Sequence, residues 1–189
     1  SHEVHLASRP TGVPTTDNFK IVNNTVSEPG DGEILVKNLW MSVDPAMRPR
    51  MIDRKSYIAP YEIGKILEGR AIGLVVESNS SDFQEGEYVF GTEGWREYYL
   101  STGEGLTKIE PGDAPIEAYL GALGMTGLTA YSGLIRIGEI RKGDTVFVSA
   151  AAGAVGSIAC QIAKNNGCRV IASAGSDEKV AWLKEIARV

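Results

Sequence analysis

Residues 145–164 read TVFVSAAAGAVGSIACQIAK. The β-branched apolar run from Thr145 to Ser149 predicts a strand, and the small residues after it predict a tight turn. Val155, Ile158, Ala159, Ile162 and Ala163 then recur at helical spacing, with Gln161, Lys164 and Asn165 on the other face and Gly167 as the stop. Strand, glycine turn and helix is the order in which a dinucleotide pyrophosphate is gripped. The turn Ala151-Ala152-Gly153-Ala154-Val155-Gly156 fits the G-x-G-x-x-G frame with Ala in the first place. Gly153 lets backbone approach the pyrophosphate, Gly156 lets the helix lie close on its strand, and the helix start offers free N–H groups and a positive dipole end. An ordinary α/β turn is the competing reading, and the flanking strand and helix favour the dinucleotide site. Cys160, beside the apolar stripe, reads as a small hydrophobe rather than a redox group.

The next strand, Arg169 to Ala174, ends in Gly175-Ser176-Asp177-Glu178-Lys179. The tip Ala174-Gly175-Ser176 leaves room for a 2′-phosphate, and Lys179 supplies a matching point charge, which favours NADP(H) over NAD. Asp177 is the rival, because its distance from the glycine turn suits an acid on the ribose 2′-OH. Ser176, however, reads as an N-cap, and an acid is expected in the first helical turn in any case.

Upstream the chain is β-rich. Strands are predicted for residues 3–8, 19–26, 33–43, 70–78, 87–90 and 97–100, punctuated by Gly and Pro, with 33–37 central in its sheet. From Pro115 the pattern turns helical: Ile116, Tyr119, Leu120 and Leu123 share a face, and Leu128, Tyr131, Leu134 and Ile135 form a second helix. This division predicts a compact barrel-like domain over 1–113 and an incomplete α/β domain over 114–189.

Of the 189 residues, 43% are hydrophobic and 23% charged, and the net charge is -5, so no general attraction to nucleic acid or anionic membrane is expected. No apolar run spans a bilayer, and a cytoplasmic setting is the expectation. Two cysteines and two histidines, His2 and His5, give no zinc-ligand grouping, which disfavours metal-dependent alcohol oxidation. Met41, Met47 and Met51 read as core filling more than pocket padding. Arg48, Arg50, Arg54 and Lys55 read as a solvated loop face, or else as steering charge for an anionic cofactor.

Five segments carry a family resemblance: HLASRP (5–10), MSVDPAMR (41–48), LGALGMTGLTAY (120–131), Val148 to Lys164, and AGSDEK (174–179). Together they resemble the zinc-independent medium-chain dehydrogenases/reductases of the leukotriene B4 12-hydroxydehydrogenase, prostaglandin reductase, alkenal double-bond reductase and bacterial curcumin reductase branch. The resemblance implies a GroES-like catalytic domain followed by a Rossmann domain, a cleft between them, a homodimer, and NADPH-dependent reduction of the C=C bond of a small enone or enal. It places Gly153, Ala154, Val155 and Gly156 on the pyrophosphate, Ser176 and Lys179 at the 2′-phosphate end, and Pro45, Met125 and Thr129 toward the nicotinamide. Tyr57 matches a pocket tyrosine and is the local candidate donor to the substrate oxygen, with a pocket-wall role as its alternative. Ala46 stands where the family has Tyr, which implies a larger pocket or a missing aromatic wall. Family members continue through the rest of the Rossmann sheet, past the position of Val189. A truncated, non-catalytic nucleotide-binding fragment is therefore one alternative, and NADPH:quinone reduction another.

Overall fold

The computed structural model describes residues 1–188. They divide into two compact units, the first Ser1–Ile116 and the second beginning at Glu117.

In the first unit β1 (His2–Leu6) pairs antiparallel with β2 (Phe19–Asn23). A five-stranded antiparallel sheet follows, in the order β6-β3-β4-β5-β7. Its strands are β3 (Ile34–Met41), β4 (Ala71–Ser78), β5 (Tyr88–Gly91), β6 (Tyr98–Ser101) and β7 (Thr107–Ile109). Alternation explains the register: Ile34 and Val36 point inward from β3, where they meet Val75, Val89, Tyr99 and Phe83 in one buried cluster. The run 33–37 thus lies on a strand flanked on both sides, by β4 and β6. Gly73 is required where it stands, because a Cβ there would sit 2.3 Å from Val36 Cγ1.

Beside this sheet a second cluster buries Leu6, Met47, Met51, Tyr61 and Leu67, with Trp95 packed on it. Met47 begins a four-residue helix, α1 (Met47–Arg50). Asn38, buried, donates through Nδ2 to the Glu93 and Arg96 carbonyls, both at 2.9 Å, and so holds the loop carrying Trp95. Burial raises the Glu3 carboxyl, but hydrogen bonds from His5 and Asn24 and the nearby Arg96 outweigh it and hold the carboxyl below its ordinary range.

A 3₁₀ turn, Ile116–Leu120, leads from the first unit into the second, where the sequence predicts a helix running on to Leu123. Gly121 and Gly124 weaken the helical backbone there. Next comes α2 (Met125–Tyr131), which widens into a π-helical segment over Ser132–Ile137. Gly133 has little α propensity, and the Gly138 N–H reaches back five residues to its carbonyl at 2.9 Å. Then β8 (Thr145–Val148), α3 (Ala154–Asn165), β9 (Arg169–Ala172) and α4 (Asp177–Glu185) follow in order. β8 and β9 are parallel, in register from Thr145↔Arg169 to Val148↔Ala172. The core beneath them gathers Val148, Ala151, Ala159, Cys160 and Leu183.

A β-rich antiparallel module followed by the opening βαβα of a Rossmann-type parallel sheet is the fold class that the sequence predicts. The strand ends differ by a few residues. β2 stops at Asn23, opposite His2, rather than at Val26, and β9 stops at Ala172 after Ser173 N–H bonds the Val148 carbonyl at 3.0 Å.

Candidate functional site

The turn after β8 is built by backbone contacts. Ala150 takes a left-handed conformation (φ 48°), the Ala151 N–H bonds the Ser173 carbonyl at 2.9 Å, and the Gly153 N–H bonds the Ala150 carbonyl at 2.8 Å. This folds the chain back so that α3 starts directly over the end of β8. Gly156 makes the approach possible: a Cβ there would stand 2.5 Å from Ala150 O and 2.8 Å from Ala151 Cα.

Gly153 is the N-cap of α3, so Ala154, Val155 and Gly156 hold the first helical N–H groups. Among the described residues none of these three donates to a backbone carbonyl, and Gly153, Ala154 and Val155 are exposed. Val155, predicted on the buried face, is 37% exposed because it stands in this open first turn. Three open donors at the positive end of a twelve-residue helix, beside a cradle that a Cβ would fill, fit a dinucleotide pyrophosphate.

At the tip of β9 the space is also open, since a Cβ on Gly175 would touch nothing within 4 Å. Ser176 is the N-cap of α4, its Oγ accepting the Lys179 N–H at 3.3 Å. The cap gives Asp177 and Glu178 a structural reason to occupy the first turn. Lys179 is exposed, and its ammonium has no partner among the described residues.

The other sequence candidates lie in separate places. Met125 opens α2 and is 46% exposed; Thr129, one turn on, donates its hydroxyl to the Met125 carbonyl at 2.6 Å, leaving only its lone pairs free to bind. Pro45 leads into α1, where the Asp44 and Pro45 carbonyls accept the Met47 and Arg48 N–H groups. Asp44 itself pairs with Arg70 at 3.2 Å.

Tyr57 lies in the irregular segment after α1, 90% exposed and without a hydrogen bond among the described residues. It lines a cavity of about 120 Å³ whose walls include Ala46, Pro49, Arg50 and Ile58. A neighbouring cavity of about 220 Å³ shares Ala46, Arg50 and Ile58 and adds Asp44, Met47 and Tyr61. Ala46 therefore borders both.

The sequence misses what Arg48 and Arg50 do. Arg48 donates to the Gly12 carbonyl at 2.7 Å and the Pro10 carbonyl at 3.3 Å, and Arg50 is bound by Ala59 and Glu68, so two of the four basic residues are anchors rather than a solvated face. The spacing Arg-Pro-Arg gives no hint of partners so far along the chain. Met47 and Met51 are buried, in keeping with core filling, whereas Met41, at the end of β3, is 43% exposed and does not fill the core. Among the described residues no group of three or more His, Cys, Asp or Glu is placed to hold a metal, and no helix is long and apolar enough to cross a membrane.

Comparison with known proteins gives the family of the chain. A family described as the N-terminal domain of oxidoreductase matches residues 2–109. NADPH-dependent curcumin reductase of Escherichia coli is 44% identical over 183 residues, covering 96% of this chain and 52% of that protein. The NADP(+)-dependent 2-alkenal reductase of Nicotiana tabacum is 43% identical over 189 residues, covering 96% and 54% respectively. The crystal structure of CurA in complex with NADPH from Vibrio vulnificus superposes with a TM-score of 0.90 at 42% identity, covering 100% of this chain and 56% of that one. The chain thus spans about half the length of the curated relatives it matches. On the match to residues 2–109 and the two-unit architecture, the chain belongs to this oxidoreductase family, within the zinc-independent medium-chain reductases that its motifs resemble.

Proposed function

We propose that the protein reduces the C=C bond of α,β-unsaturated ketones and aldehydes with NADPH. The observation that carries the reading is the turn of Gly153 to Gly156, with its open helix-start donors, in a chain whose whole described length resembles an NADPH-bound relative. Bound at this turn, NADPH would supply a hydride to the β-carbon of the acceptor. The Ala154, Val155 and Gly156 N–H groups hold the pyrophosphate, and the Lys179 ammonium meets the 2′-phosphate as a point charge. Ser176 caps α4 and so keeps Lys179 at the β9 tip. As the β-carbon is attacked, the C=C electron pair moves toward the carbonyl, and negative charge grows on its oxygen. A hydrogen-bond donor there stabilises that charge, and the Tyr57 O–H, free of internal partners, is assigned to it. A proton from water then adds at the α-carbon, giving the saturated carbonyl compound.

Incubating the purified protein with NADPH deuterated at C4 and an enone tests the reading. The expected product is the saturated ketone with deuterium on the β-carbon. Deuterium on the carbonyl carbon, or turnover of quinones with no enone consumed, would overturn it.

A further inference from the structure

Arg50 is placed to control a segment that the proposed reaction needs. Its Nε donates to the Ala59 carbonyl at 3.0 Å, a terminal nitrogen bonds Glu68 Oε2 at 2.8 Å, and the guanidinium lies 4.0 Å from the Tyr61 ring centroid. Its backbone carbonyl accepts the Tyr61 N–H at 2.7 Å. The Tyr61 hydroxyl, its titration pushed up by burial, donates to the Glu68 carbonyl at 2.7 Å. One arginine therefore holds the far end of the irregular segment 53–60 by side chain and backbone together.

The near end is held as well. Arg9 donates to the Met51 carbonyl at 3.1 Å and stands 3.9 Å from Asp53. Between these ties, Lys55, Ser56, Tyr57 and Ile58 form no hydrogen bond among the described residues, and all four are exposed. Ser56, Tyr57 and Ile58, with Arg54 and Pro60 on either side, line the 120 Å³ cavity together with Ala46, Pro49 and Arg50. Arg50 also lines the 220 Å³ cavity and a third of about 340 Å³ beyond it.

We propose that residues 53–60 are a strap over the acceptor pocket and that Arg50 is the positioning residue that sets it, and with it Tyr57. A lysine cannot replace Arg50, because one ammonium on a flexible stem does not span the Ala59 carbonyl and Glu68 while lying on the Tyr61 ring. The assignment of the pocket rests on the reductase reading, whereas the tie between Arg50 and the strap does not.

Two measurements separate these. Arg54 and Lys55 place two trypsin-sensitive bonds in the strap. In Arg50→Gln, cleavage at these bonds is expected to accelerate about tenfold while other sites keep their rates, as for release of one local unit. Unchanged cleavage there would overturn the proposal. Should Arg50→Gln fail to fold, Arg50→Lys must show the same selective release, and its failure to do so counts equally against the strap. In turnover, Arg50→Gln is expected to lower kcat/KM for the enone about tenfold, because a loosened strap both weakens enone binding and displaces the Tyr57 O–H from the developing oxyanion, with NADPH affinity within about twofold of the parent. An equal loss of NADPH affinity, or an unchanged kcat/KM, would contradict the positioning role. If the parent protein turns over no enone, the reductase reading fails and the trypsin result alone decides the strap.

Discussion

The two sheets bury their strands differently. In the first unit, Ile34, Val36 and Val89 are fully buried on an antiparallel sheet whose inner strands have neighbours on both sides. In the second, β8 and β9 bury one face against α3 and leave Phe147 65% and Ile171 42% exposed on the other. The antiparallel sheet rests on side chains that meet across strands, whereas the parallel pair rests on the close approach of one helix and the turn leading into it. Fully buried strand side chains are therefore concentrated in the first sheet and the candidate nucleotide-binding turn in the second unit.

The largest expected contrast is between equivalent-looking apolar positions. Ile34→Ala should lower stability by about 2–5 kcal/mol, since a buried cavity is left in a close-packed cluster. Phe147→Ser should change it by no more than about 0.5 kcal/mol, as for a surface site. Chemical denaturation of both variants measures the difference, and a Phe147 cost matching that of Ile34 would break the contrast.

A sharper version uses the two glycines that admit no side chain. Gly73→Ala drives a Cβ into Val36, and Gly156→Ala drives one into the Ala150 carbonyl; overpacking of this kind costs about 1–3 kcal/mol. Only the second moves the turn that holds the helix-start donors. NADPH affinity should fall more than about tenfold in Gly156→Ala, equivalent to about 1.4 kcal/mol, and stay unchanged in Gly73→Ala. Equal effects from the two, measured by titration calorimetry beside thermal melts, would place the nucleotide site elsewhere.

How much of this was legible in the sequence depends on how local the determinant is. The glycine turn, the helix it opens and the Ser176 cap are set by residues within a few positions of one another, and the sequence shows them. β7 has three residues, too few for a two-residue period to register, and α1 contains Pro49, so its sequence reads as loop. The path from Gly124 through the π-helical segment depends on glycines that lower helix propensity without announcing what replaces the helix. The Arg50, Tyr61 and Glu68 group is assembled from positions up to 18 apart, and charge spacing alone cannot tell an anchored arginine from a solvated one.

The most direct test of the central claim, that the β8 turn and the β9 tip grip NADP(H), is the affinity for NADPH and NADH before and after Lys179→Ala. NADPH binding is expected to weaken about tenfold while NADH binding is unaltered, because only the former carries the phosphate that Lys179 meets. Equal weakening of both, or none for either, would contradict it.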